Sequence, residues 1–181
     1  LREIAKISKK YKLTIVSDEI YSNLTFKNKY ESISNFYPEG TIVSSGLSKW
    51  CGAGGWRLGY FAIPRELKEL KNSLKILNSE SFTSVSAPIQ YAAIEAYTGD
   101  YSTYLEKVKK ILFCVGMYVY DNLKSNAINV LKPEGGFYLF PEFINAKFSS
   151  SSEMCKDILK KTGVALLPGS DFGLNSKIMI A

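Results

Sequence analysis

Ser45-Gly-Leu-Ser-Lys-Trp-Cys-Gly-Ala-Gly-Gly-Trp-Arg-Leu-Gly-Tyr60 is the stretch from which the rest of the chain can be read. It continues Thr41-Ile-Val-Ser44, a short β-branched run with the composition of a buried strand. Lys49 therefore leaves the C-terminal end of an apolar strand and enters a glycine-rich loop, with Arg57 eight positions further on. In open α/β sheets ligands sit at the carboxyl ends of strands, and glycines there let the backbone approach them closely.

Working outward, Leu1 to Lys12 has apolar residues at 1, 4, 5 and 7, the spacing of an amphipathic helix. Leu13-Thr-Ile-Val16 reads as a second buried strand that delivers Ser17-Asp-Glu-Ile-Tyr21 at its end. Leu58 to Ile63 is a third strand, stopped by Pro64, and Arg65 to Leu77 is the helix after it. A long helical region opens at Ser86-Ala-Pro-Ile and runs, with a break at Thr98-Gly-Asp100, to about Ser125. Strands over 128–131, 136–140, 164–167 and 177–180, with a helix over 152–161 capped by Ser152, form a further layer. The expected fold is α/β. Residues 1–98 form part of a large, mainly parallel-sheet domain, and 99–181 form a small α+β domain that is incomplete at its end.

The bulk numbers exclude several function classes. With 46% hydrophobic and 22% charged residues in 181, the chain is long enough to bury a core and is not disordered by composition. The net charge of +6 comes from lysines scattered along candidate helices, which points to solvated surface and not to a nucleic-acid face. Histidine is absent, so His-based triads and His-ligated metals are excluded. Three cysteines, Cys51, Cys114 and Cys155, lie far apart, which fits no metal knuckle and suits a reducing cytoplasm. No apolar run reaches bilayer-spanning length, and a membrane role is not expected.

The chemistry follows from residue types. A lysine partly withdrawn from water has a lowered pKa and is a usable amine nucleophile, and an arginine fork matches a phosphate dianion. Amine and phosphate site together point to pyridoxal 5′-phosphate. That cofactor is an electron sink only while its ring nitrogen is protonated, which a neighbouring carboxylate such as Asp18 maintains, and the Tyr21 phenol is within reach of its ring oxygen. Asp18 is expected to face inward and Glu19 outward.

Asp18-Glu-Ile-Tyr21, then Ser48-Lys49 with Arg57 and Gly59-Tyr60, resembles the fold-type I aminotransferases of class I/II. Ser86-Ala-Pro-Ile-Gln90, Pro133-Glu-Gly-Gly-Phe-Tyr138 and Leu167-Pro-Gly-Ser-Asp-Phe-Gly173 resemble further segments of that family, so the likeness runs along the whole chain. The resemblance implies the C-terminal part of the PLP-dependent transferase fold. It makes Lys49 the Schiff-base lysine and proton-transfer base, with Asp18 on the pyridinium nitrogen and Tyr21 on the ring oxygen. Arg57 and, less directly, Ser48 would hold the phosphate; the position three before the lysine, often Ser or Thr in relatives, is Gly46 here. No metal is implied.

The implied activity is transfer of an amino group between an amino acid and a 2-oxo acid, in a homodimer with the active site at the subunit interface. The same scaffold also serves lyases and noncatalytic regulatory domains that bind the cofactor, and the motifs do not separate these outcomes. The family's phosphate-cradling loop and ring-oxygen asparagine lie upstream of anything matched here, and its carboxylate-gripping arginine is expected just after Ala181. The chain alone is therefore expected to be an inactive fragment. Tyr138 lines either the substrate pocket or the small-domain core, and Cys51 reads as a buried thiol.

Overall fold

The computed structural model of the chain describes residues 1–26, 29–144, 147–174 and 176–181. They form two compact units, Leu1–Leu24 with Asn28–Leu105, and Thr25–Lys27 with Glu106–Ala181.

In the first unit, helix α1 (Arg2–Lys10) buries Ala5 and Ser8. Ala5 meets Ile33 and Tyr37 in a core cluster that Ile15 and Phe36 complete. The chain then enters β1 (Ile15–Asp18), two residues later than the β-branched run begins, because Lys12 takes a left-handed conformation (φ 52°) as the helix closes. Strand β2 (Thr41–Gly46) pairs parallel with β1, in register Ile15↔Thr41 to Asp18↔Ser44. Strand β3 (Gly59–Ala62) pairs antiparallel with β2, from Val43↔Ala62 to Gly46↔Gly59. The sheet order is β1-β2-β3. Ile42 and Leu47 anchor β2 in the interior. Pro64 ends β3, and helices α2 (Lys68–Ser81) and α3 (Ala87–Thr98) follow, the latter with Pro88 in its first turn as expected.

In the second unit, the greater part of helix α4 (Ser102–Leu123) brings Tyr120 against Val130 and Leu139, with Met117, Val119, Leu123 and Ile180 around them. Thr25 belongs to this unit through a bridge to Gly135, and Phe26 through its N–H to Glu134 O at 2.9 Å. Two small antiparallel pairs form here, β4 (Ile128–Asn129) with β5 (Glu142–Phe143), and β6 (Leu167–Pro168) with β7 (Ile178–Met179). Helix α5 (Ser151–Thr162) buries Met154 and Cys155 against Ile178 and ends on Gly163 at φ +74°, the left-handed position glycine takes without cost.

The two compact units divide at Leu105/Glu106, inside α4. Two sequence expectations are corrected here. Residues 136–140 are not a strand: Gly136 turns the chain at φ +66°, and only Leu139 bridges, to Ile180. The cap of α5 is Ser150 and not Ser152. The Ser150 hydroxyl accepts the Glu153 N–H at 3.2 Å, while the Glu153 carboxylate reaches back to the Ser149 N–H and hydroxyl.

Candidate functional site

Everything at the candidate site belongs to the first unit and follows from the β1-β2-β3 sheet. The parallel pairing sets Asp18, the last residue of β1, beside Ser44 of β2, and β2 then releases the Leu47–Leu58 loop. That loop is closed at its base by the Gly46↔Gly59 rung and by the Leu47 N–H to Leu58 O at 3.3 Å. Gly46 is there because nothing larger fits: a Cβ on it would stand 2.6 Å from Leu58 O. Close approach of two backbones accounts for the glycine where the resemblance led one to look for a hydroxyl. Inside the loop, the Gly52 N–H reaches Lys49 O and the Ala53 N–H reaches Leu47 O, each at 3.3 Å, so Lys49 opens a tight turn.

Lys49 Nζ lies 5.7 Å from the centroid of the Tyr21 ring, a cation–π distance. The lysine and the tyrosine are both half-buried. Two residues named from separate strand ends are thus brought together. Asp18 is exposed, and one carboxylate oxygen accepts the Ile20 N–H at 3.3 Å, which curls the chain toward Tyr21. Ser48 is half-buried beside Lys49. Arg57 closes the loop in a left-handed conformation, φ 55°, unusual for a residue other than glycine, and donates one N–H to Gly54 O at 2.8 Å. That bond fixes the side chain at the loop and leaves further guanidinium donors exposed.

The expected orientation of the acidic pair is reversed. Glu19 is 7% exposed, and its carboxylate accepts hydrogen bonds from the Ser17 and Ser32 hydroxyls, while Asp18 opens to solvent. Strand alternation is the reason. Ser17 and Glu19 share a face with Ile15, which packs on the core, and Val16 and Asp18 take the other. The period-two pattern was present in the sequence. The chemistry of Asp18 suggests the opposite orientation, and no local signal assigns the Ser32 hydroxyl to Glu19.

Around the loop lies an aromatic group that the sequence left unassigned. Trp50 is buried and packs at tilted angles on Tyr97 (5.8 Å) and Tyr101 (6.4 Å), and Tyr60 meets Tyr97 edge-on at 5.6 Å. Burial pushes the Tyr97 phenol up from its ordinary value, and the neighbouring Tyr60 adds to this. A cavity of about 420 Å³ opens beside them, lined by Trp50, Cys51, Trp56, Glu95, Tyr101 and Tyr104 among others. Cys51 is half-buried, more open than expected. In the second unit, Tyr138 stacks on Phe137 at 4.6 Å and lines an apolar cavity with Leu112, Pro133 and Ile180.

No grouping of His, Cys, Asp and Glu able to hold a metal occurs among the described residues, and no helix among them is long and apolar enough to cross a membrane.

The family model "Aminotransferase class I and II" matches residues 1–181. The chain is 38% identical over 175 residues to a probable N-acetyl-LL-diaminopimelate aminotransferase of Bacillus subtilis, covering 95% of this chain and 42% of that protein. It is 36% identical over 190 residues to an aspartate aminotransferase of Bacillus sp. (strain YM-2), covering 100% of this chain and 47% of that protein. Among solved structures, an alanine aminotransferase from Pyrococcus furiosus superposes with a TM-score of 0.86 at 31% identity, covering 99% of this chain and 47% of that one. The chain thus spans about half the length of the curated relatives it matches.

Proposed function

The chain belongs to the class I and II aminotransferase family, and from that premise we propose that it carries the cofactor-linking half of a pyridoxal-phosphate-dependent aminotransferase acting on an amino acid and a 2-oxo acid. The observation that carries the reading is the meeting of Lys49 Nζ with the Tyr21 ring at 5.7 Å, beside the β1 end that bears Asp18. The donor set fits the group: an amine, a phenol, a carboxylate and a guanidinium fork on one sheet edge and its loop.

The bound cofactor supplies an electron sink for charge developing at the substrate α-carbon. The protein's part is attachment and proton handling. Lys49 Nζ would be the attachment point and the base that takes the substrate α-proton. The Tyr21 ring against Nζ sets the position of the amine. Asp18 keeps the ring nitrogen protonated, and the Tyr21 hydroxyl serves the ring oxygen. Arg57 anchors the phosphate with Ser48, its position stiffened by the bond to Gly54 O. The named relatives are aminotransferases, which favours transfer over elimination or a noncatalytic role. Which amino acid is the donor is a matter for substrate profiling, because the named relatives differ in it.

A homodimer is part of the proposal. Its support is the apolar surface the first unit leaves open, with Ile76, Leu77, Tyr91 and Ile94 all more than half exposed on α2 and α3. A cytoplasmic location is supported by three cysteines that are all free.

The test is to load the intact protein with pyridoxal phosphate, reduce with borohydride and map the modified peptide. Label confined to Lys49 and absent from Lys49→Ala supports the reading. Label spread over surface lysines, or unchanged in the variant, refutes it.

A further inference from the structure

Glu19 is a carboxylate at the end of β1, 7% exposed, next in sequence to Asp18 and given no task by the roles above. Its Oε1 accepts the Ser17 hydroxyl at 3.1 Å and the Ser32 hydroxyl at 2.5 Å, and its backbone N–H donates to Ser44 O of β2 at 2.8 Å. Ser32 in turn accepts the Ser34 N–H at 3.1 Å and caps the short helical turn Ile33–Asn35, whose Ile33 lies in the core with Ala5 and Tyr37. A line of contacts therefore runs from the core, through Ser32 and Glu19, to the strand end that presents Asp18 and leads to Tyr21.

The groups that answer Glu19 are hydroxyls, which satisfy a carboxylate's lone pairs without cancelling its charge. Tyr30, on the segment that carries Ser32, is the titratable group opposite: burial first and the Glu19 charge second hold its phenol above the ordinary value, with Asp18 adding less. A glutamine could accept the same two hydroxyls, and burying it would cost less than burying an anion. The negative charge is therefore not needed for packing, and it lies next to the residue assigned to keep a ring nitrogen protonated.

We propose that Glu19 is a positioning residue for the cofactor: its hydroxyl clamp fixes the β1 end that carries Asp18 and Tyr21, and its buried charge adds to the field that keeps the ring nitrogen protonated. This rests on the functional reading above.

The test compares wild type, Glu19→Gln and Ser32→Ala in the intact protein by equilibrium binding of pyridoxal phosphate to the apo form and by pH titration of the bound cofactor's absorbance. Glu19→Gln keeps both hydroxyl donors but removes their charge assistance and the field, and is expected to weaken binding about tenfold, the order of the difference between a charged and a neutral hydrogen bond. It also moves the spectral midpoint down by roughly half a pH unit, since a nearby negative charge favours every protonated site. Ser32→Ala keeps the charge and loosens the clamp, so binding weakens about threefold, a fraction of that bond, and the midpoint stays.

A folded Glu19→Gln with affinity within twofold of wild type and an unmoved midpoint overturns the proposal and leaves Lys49 labelling intact. If Glu19→Gln does not fold, Ser32→Ala decides, and unchanged affinity in that variant overturns the clamp. A wild type that neither binds the cofactor nor labels at Lys49 overturns both readings together.

Discussion

Replacing Gly46 with alanine tests the geometry that seats Lys49, because the outcome changes sign with the structure. A Cβ at Gly46 would lie 2.6 Å from Leu58 O and 3.0 Å from the Cα of Gly59, both backbone atoms of the paired strand. Ordinary contact needs about 0.9 Å more, since non-bonded heavy atoms settle near ~3.5 Å. Leu58 O is also the acceptor for the Leu47 N–H at 3.3 Å, near the limit for a hydrogen bond, so a shift of that size breaks it. Overpacking contributes about 1–3 kcal/mol and the lost bond about 1 kcal/mol, giving roughly 3 kcal/mol of destabilisation. At about 2–4 °C per kcal/mol for a chain of this size, Tm falls by roughly 6–12 °C. The assay is thermal unfolding followed by circular dichroism, with cofactor labelling of Lys49 on the same sample. Were the strands not in this contact, alanine at an unstrained position would stabilise by about 0.4–1 kcal/mol through the unfolded chain. An unchanged or raised Tm in Gly46→Ala refutes the reasoning.

Two further predictions are checked by similar means. Arg57→Gly removes a left-handed arginine, so the apo protein keeps or gains stability by up to about 1 kcal/mol, while pyridoxal phosphate affinity falls at least tenfold with the loss of the fork; paired thermal and binding titrations separate the two effects. The Glu153 carboxyl is held below its ordinary value of 4.5, chiefly by the Ser149 hydroxyl and then by the Ser149 N–H. A depressed acid contributes stability above its unfolded pKa and loses it as pH falls through the folded one, so denaturant midpoints drop below about pH 4.5 by more in wild type than in Glu153→Gln.

Strand ends and the residues on them were legible because they follow from local rules. An apolar β-branched run reads as a strand whose first polar residues emerge at its end, which put Asp18 and Lys49 at the ends of neighbouring strands. The burial expected of the first run is not found, since Leu13 and Val16 are exposed and Ile15 alone packs on the core. The family and the fold class followed from those motifs, and the family match over the whole chain agrees. What escaped the sequence was decided by single backbone torsions or distant partners. Gly136 could be read as a strand residue until its φ of +66° turned the chain, and Ser150 and Ser152 are equal candidates for a cap until the helix starts. The burial of Glu19 depends on Ser32, thirteen positions away, whose hydroxyl no local pattern assigns to it.

The rung Gly46↔Gly59 ties both feet of the loop that holds Lys49 and Arg57 to one hydrogen-bonded pair. A closure this short costs little chain entropy and involves contacts close in sequence, so the hairpin can assemble early and without waiting for the parallel partner β1. Its amine and guanidinium are then spaced by the hairpin's own length, whatever happens elsewhere in the chain. One residue added within the loop would therefore change the spacing of the two groups proposed to anchor the cofactor, whereas a residue added outside it would leave that spacing alone.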